Sequence, residues 1–159
     1  MKAEKTVDYH IKSGWHAISR MYNLYAAPFD MTMAIGYVLL NIDRKGTPAT
    51  KIAPALGLEA RSLTRMLKSL EDKKWIRRET DEDDRRVVKV YLTEEGKRKR
   101  DLAREGVILF NNAVYEKIGE ENLNTFFEVM KKINEVVNND TANYRAESLV
   151  DTNIDEEII

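Results

Sequence analysis

The segment Arg61-Ser62-Leu63-Thr64-Arg65-Met66-Leu67-Lys68-Ser69-Leu70-Glu71 is followed shortly by Asp84-Arg85-Arg86-Val87-Val88-Lys89-Val90-Tyr91-Leu92-Thr93-Glu94-Glu95-Gly96, and this succession constrains the fold more than any other feature. The first segment repeats its apolar residues at helical spacing and carries cations between them. The second reads as the returning strand of a hairpin, with two arginines at the bend and a helix start behind it. A cationic amphipathic helix followed by an arginine-tipped hairpin suits a major groove and the minor groove beside it.

The flanking sequence supplies the rest of a helical frame. Val7, Ile11, Trp15, Ile18, Tyr22 and Tyr25 recur on one helical face, so a long first helix is expected over 7–25, broken by Pro28 and Asp30. Thr32 fits the N-cap of a second helix running to about Asp43. Thr47-Pro48 reads as a cap followed by proline at the first helical position, opening a short third helix that ends near Leu56-Gly57. The fourth helix, about Glu59 to Lys73, buries Leu63, Met66, Leu67 and Leu70 and leaves Arg61, Ser62, Arg65 and Lys68 on other faces. Two short helices joined at a glycine form a helix-turn-helix. Ile76–Thr80 and Val87–Leu92 form a hairpin around the acidic turn Asp81-Glu82-Asp83-Asp84. Thr93 caps a fifth helix to about Ile118, and a sixth runs from about Glu120 to Val137. Pro54 falls inside the third helix, where an unrelieved interior proline costs roughly 3 kcal/mol.

The fold class expected is therefore mainly α: a winged helix-turn-helix with a two-stranded β wing and a helical dimerisation region made by the N- and C-terminal helices. The chain divides into a dimerisation helix at 1–30, the DNA-binding domain at 31–96, further dimerisation helices at 97–138 and an acidic tail of unassigned order at 139–159. The sixth helix carries a broad apolar stripe of Leu123, Phe126, Phe127, Met130, Ile133 and Val137. A lobe as small as the winged segment cannot cover that stripe and the first helix together, which predicts a homodimer; the alternative is an intramolecular helical bundle.

Charge is distributed to match. The formal net charge is only −1, yet residues 47–104 carry 16 Lys and Arg against 11 Asp and Glu, while residues 105–159 carry 4 against 12. A basic segment in an otherwise acidic chain favours local binding of a polyanion. The longest nearly uncharged apolar stretch, Met31 to Ile42, is too short to cross a bilayer, and the N-terminus lacks a secretory core, so a cytoplasmic protein with no membrane partner is expected. The absence of cysteine excludes disulfides and zinc–thiolate clusters. His10 and His16 are not at the i, i+4 spacing of a shared helical metal site. No nucleophile with a base, phosphate-cradling glycine loop or metal constellation is present, so neither an enzyme nor a cofactor is expected.

Thr32, Leu39, Ile52-Ala53, Leu56-Gly57-Leu58, Ser62-Leu63-Thr64-Arg65, Leu70-Glu71, Ile76, Arg78, Asp84-Arg85-Arg86, Leu92-Thr93 and Gly96 stand in an order and spacing that resemble the MarR family of bacterial winged-helix regulators, over roughly residues 7–137. The resemblance implies a dimer that binds double-stranded DNA at pseudo-palindromic operators, a repressor role, and release by a small aromatic or lipophilic ligand. It places Ser62, Thr64 and Arg65 at the major groove and Arg86 in the minor groove, held by Asp84. With Arg61, Lys68 and Arg85 added for their charge, these form the expected DNA-binding set.

The resemblance also implies an effector cavity between the dimerising helices and the winged lobe, for which Trp15, His16, Tyr22, Tyr37 and Phe110 are the candidate linings; each would serve equally as ordinary core. The chain departs from the family pattern at Lys74-Trp75, where a glycine and an aliphatic residue are usual. Lys74 is therefore expected in a left-handed conformation and Trp75 in the core. Ile35 and Gly36 replace a more polar pattern, which predicts extra apolar surface there. The competing function is a winged-helix protein-interaction module without operator binding.

Overall fold

A computed structural model describes residues 2–81 and 84–140 of the chain; Glu82 and Asp83 of the acidic turn, and the tail from residue 141, lie outside the described residues. The elements are α1 (Val7–Ala26), α2 (Met33–Leu40), β1 (Thr47–Pro48), α3 (Ala49–Ala55), α4 (Ala60–Asp72), β2 (Ile76–Thr80), β3 (Val88–Leu92), α5 (Glu94–Ile118) and α6 (Glu120–Asp140). Short 3-10 turns occupy Ala3–Lys5 and Ala27–Phe29. Packing divides the chain into two units. One runs from His16 to Leu109; the other joins the N-terminal segment up to Trp15 with the C-terminal segment from Phe110.

The unit from His16 to Leu109 holds the winged helix-turn-helix and its core. Val38, Leu39 and Ile42 meet Ile52, Leu63, Leu67 and Leu70, and the sheet closes over them with Ile76, Val90 and Leu92. Leu70 is wholly buried, which for such a side chain is worth roughly 1.5–3 kcal/mol relative to exposure. Thr32 caps α2 as expected, its hydroxyl accepting the Ile35 amide. That helix stops at Leu40, short of Asp43, because Asn41 folds its side-chain amide back onto the Tyr37 carbonyl at 2.9 Å.

The wing has three strands, in the order β1-β3-β2 and antiparallel throughout, where the sequence indicated two. The third is Thr47-Pro48, expected as a helix start. Thr47 pairs with Val90 and Pro48 with Lys89, and the Thr47 hydroxyl accepts the amide of Asp43, upstream, at 2.9 Å. Proline lacks the amide that an edge strand would leave unpaired, so this position suits it.

Pro54 is the penultimate residue of α3, which ends at Ala55. The chain closes with Gly57 at φ +60, the Leu58 amide reaching the Ala53 carbonyl at 3.0 Å and the Gly57 amide reaching Pro54 at 3.2 Å. This is the paired closure that favours glycine at a left-handed position.

The same closure ends α4 with a lysine in that position. Lys74 has φ +58, its amide bonds Glu71 O at 2.8 Å, and the Trp75 amide bonds Leu70 O at 2.9 Å. Trp75 enters the core, as expected. Thr93 then ties the start of α5 to this turn. Its amide bonds Trp75 O at 3.0 Å, its hydroxyl donates to Lys74 O at 2.7 Å, and it caps the Gly96 amide at 3.1 Å. A Cβ on Gly96 would stand 1.9 Å from Trp75 O, so this crossing admits only glycine. Ile35 and Gly36 do not add apolar surface. Gly36 is buried, Ile35 packs on the core, and the missing side chain of Gly36 brings α2 against Ala103.

In the other unit, Val7, His10, Ile11 and Gly14 of α1 and Phe126, Val129, Met130 and Ile133 of α6 line an apolar groove of about 440 Å³. Leu123 is buried, whereas Phe126, Phe127 and Val137 of the predicted stripe are about half exposed.

Candidate nucleic-acid interface

Helix α4 buries Leu63, Leu67 and Leu70. Arg61, Arg65 and Lys68 repeat at the same i, i+4, i+7 spacing, so they lie on the opposite side of the helix. Ser62 and Thr64 flank them, and all five are exposed. The Thr64 hydroxyl donates back to Ala60 O at 2.9 Å, leaving its oxygen as an acceptor. Ala60, Arg61, Thr64 and Arg65 outline a shallow hollow on this face.

The wing bend is built by its carboxylates. Asp81 accepts the Asp84 amide at 3.1 Å, Asp84 accepts the Arg86 amide at 3.0 Å, and the Val87 amide bonds Asp84 O at 2.9 Å. The contact expected between Asp84 and Arg86 is therefore made to the backbone amide rather than to the guanidinium. A short side chain two residues away reaches an amide more readily than the end of an arginine, as in an Asx turn. Arg85 and Arg86 are both exposed at the bend. Asp81 also pairs with Lys89, which draws that carboxylate into the sheet.

Some cations of this unit are paired and others are not. Lys73, Arg77, Arg78, Lys89, Lys97, Arg98, Lys99 and Arg100 each pair with a carboxylate of the chain. Among the described residues, Arg61, Arg65, Lys68, Arg85 and Arg86 take part in no ion pair, and neither do Arg20, Arg44, Lys45, Lys51, Lys74 and Arg104. The first five of these are the cations expected to contact DNA.

Two pairs hold the C-terminal end of α4, and both join residues of different elements, which spacing along one helix does not reveal. Arg78 on β2 grips Glu71 through Nε at 3.0 Å and through Nη2. The hydrogen bond from Arg78 holds the Glu71 carboxyl below its usual range, and the same bond raises Arg78. Lys73 donates to the Asp30 carboxylate at 2.6 Å.

Of the aromatic residues expected in an effector pocket, Tyr22 and Tyr37 come together, with ring centroids 6.3 Å apart. They line a narrow cavity of about 30 Å³ with Tyr25, Ala26, Met31, Thr32, Met33, Gly36, Leu40, Ala103 and Val107. Burial raises both phenols, and Tyr37 raises Tyr22 further, so they stay neutral hydrogen-bond donors. His16 is exposed and does not line this cavity. Trp15, which is 51% exposed, and the half-buried Phe110 belong to the other unit. Sequence inspection missed Tyr25, whose hydroxyl reaches Leu102 O at 3.4 Å; its position one helical turn from Tyr22 was the available signal.

A model of the MarR family matches residues 37–88, from α2 through the wing bend. The HTH-type transcriptional regulator YhbI of Bacillus subtilis, itself uncharacterised, is 30% identical over 105 residues, which is 65% of this chain and 68% of YhbI. Among solved structures, S. aureus MepR in complex with DNA superposes with a TM-score of 0.76 at 21% identity, over 83% of this chain and 98% of that one. CouR of Rhodococcus jostii RHA1, bound to p-coumaroyl-CoA, superposes at 0.72 with 18% identity, over 84% and 94% of the two chains. At those identities the two structures establish the winged-helix fold. No helix among the described residues is long and apolar enough to cross a membrane.

Proposed function

The chain belongs to the MarR family of transcriptional regulators, and from that premise we propose that it is a homodimeric repressor that binds pseudo-palindromic operators and is released by a small aromatic or lipophilic ligand. It is a regulator and not an enzyme. The observation that carries the DNA-binding assignment is the grouping of exposed cations on the outer face of α4 and at the wing bend, none of which has a carboxylate of its own among the described residues. Free cations are what an array of phosphates and base edges requires, and arginine is favoured in narrow minor grooves. In this reading Arg61, Ser62, Thr64, Arg65 and Lys68 contact the major groove, Arg86 enters the minor groove with Arg85 beside it, and Asp84 shapes the bend. The DNA in the MepR complex supports the same assignment.

The half-exposed aromatics of α6 and the apolar groove beside α1 support the dimer. The Tyr22–Tyr37 cavity, with apolar walls and phenolic tips, supports the effector, as does the ligand of CouR. At its present size it holds about one water molecule, so an effector must widen it as it enters.

The test is selection of duplexes from a random pool, followed by titration of the selected site at matched salt. The wild-type chain is expected to bind with strong salt dependence. The Arg65→Ala, Arg86→Ala double variant should lose at least about tenfold in affinity, because each base-reading arginine contributes roughly 1–3 kcal/mol. Equal affinity of the two proteins would overturn the assignment. Failure to enrich any sequence would favour a protein-interaction module instead.

A further inference from the structure

The α1–α2 connection does two things at once. Ala26, Met31, Thr32 and Met33 wall the tyrosine cavity, and Asp30 in their midst is bonded to Lys73, the residue that caps α4. Both ends of that bond sit beside a left-handed residue. Asp30 itself has φ +58, closed by Asp30 N to Ala27 O at 3.1 Å and Met31 N to Ala26 O at 3.2 Å; Lys74, next to Lys73, also has φ +58. These are the two non-glycine residues with positive φ among the described residues. Such conformations persist only where the surroundings hold them.

The same junction is buttressed from α5. Lys73 and Lys99 both lie 4.8 Å from the centre of the Trp75 ring, and Lys99 donates to Phe29 O at 2.8 Å. An indole with two ammonium groups near its ring attracts both through its ring electrons. Asp30 supplies a carboxylate to one of them and also lowers the cost of bringing like charges close. The carboxyl of Asp30 is held below its usual range, first by the hydrogen bond from Lys73.

We propose that Asp30 and Lys73 form a latch that positions the C-terminal end of α4 and carries the state of the tyrosine cavity to that helix. Asp30 and Lys73 touch neither the outer face of α4 nor the wing bend, so they act as positioning residues. The proposal rests on the reading of this chain as an effector-released DNA-binding regulator, and it names the contact through which release passes. A ligand that widens the cavity displaces its wall at Ala26–Met33, and the Asp30–Lys73 bond transmits that displacement to α4. Without the bond, the wall moves and the helix does not follow.

The test needs no identified effector. Ala103→Leu fills the cavity from α5 and serves as a covalent stand-in for a ligand. Asp30→Asn removes the charge while keeping a residue that tolerates the left-handed conformation. Hydrogen exchange of the α4 amides is compared in the free wild-type protein, each single variant and the double variant, alongside affinity for the selected duplex. Ala103→Leu is expected to speed α4 exchange and weaken duplex binding by about fivefold or more. With Asn at position 30, the same filling should change neither by more than about twofold. Lys73→Met should abolish the effect of filling in the same way, which separates the latch from any private effect of Asp30. If Ala103→Leu does not fold, Val107→Leu makes the same comparison with one added methylene. Equal effects of filling with and without Asp30, or no effect of filling on α4, would overturn the latch. A wild-type chain that binds no duplex would overturn the DNA-binding reading, and the exchange comparison, made without DNA, judges the latch separately.

Discussion

At Lys74 the sequence and the backbone make opposing demands. The turn out of α4 needs a left-handed residue so that the Trp75 and Lys74 amides can satisfy the last carbonyls of the helix, and lysine pays a steric cost there that glycine does not. Relief of that strain is worth roughly 1–2 kcal/mol, while glycine gives back about 0.5–1 kcal/mol through the freedom it adds to the unfolded chain. Lys74→Gly is therefore expected to stabilise the protein by roughly 0.5–1 kcal/mol, measured by urea denaturation; a loss of stability would show that the lysine side chain contributes more than its backbone costs. This conformation was legible in the sequence because Lys74 occupies a position where the family has glycine. The burial of Trp75 was legible too, but its two ammonium neighbours were not. Lys99 follows 24 positions later on another helix, and no local pattern brings it to the ring.

Between elements, what holds α4 in place is mostly ionic at its C-terminal end and apolar along its inner face. Periodicity revealed the apolar part, since Leu63, Leu67 and Leu70 announce a buried stripe at helical spacing. It could not reveal the Arg78–Glu71 grip, nor the strand at Thr47-Pro48, because a threonine before a proline looks the same as a helix start when its partner, Val90, is 43 residues away. The bends and caps have a pH signature. Glu71, Asp30 and Glu94 all have carboxyls held below their usual range, each first by a hydrogen bond from its partner: Arg78, Lys73 and Lys97 respectively. A carboxyl whose pKa is lowered on folding stabilises the fold fully above the ordinary carboxylate range, and that contribution is lost as pH falls through the lowered value. The melting temperature should thus be level from pH 7 to about 5 and fall below about pH 4. Asp30 and Glu94 are exposed and Glu71 is only half-buried, so the effect is modest and weakens with added salt. Glu71→Gln should lower stability at neutral pH by the same modest amount by which it flattens the acid limb; an acid limb unchanged in that variant would mean that the Arg78 pair contributes nothing to it.

At the scale of the whole molecule, apolar surface remains that the described residues do not cover. Phe126, Phe127, Val129, Val136 and Val137 on α6 are between 48% and 58% exposed, and Val7, Ile11 and Trp15 on α1 between 42% and 55%. Several of these side chains would be withdrawn from water by a second copy, and a contiguous exposed patch of aromatic and branched residues is the usual mark of such an interface. Charge acts on the same scale. Residues 105–140 carry 3 cations and 7 anions, so two copies brought together there repel, and the apolar contact must outweigh that repulsion. Higher salt should then tighten the dimer while it loosens DNA, since screening removes repulsion in one case and attraction in the other. Sedimentation velocity at micromolar concentration is expected to show a dimer for the wild-type chain. Phe126→Asp, a change on an already exposed side chain, should leave the fold intact by circular dichroism, shift the chain to monomer, and reduce affinity for a two-half-site duplex far more than for a single half-site. A wild-type chain that sediments as a monomer, or a Phe126→Asp chain that stays dimeric with undiminished affinity, would show that this surface does not hold the two copies together.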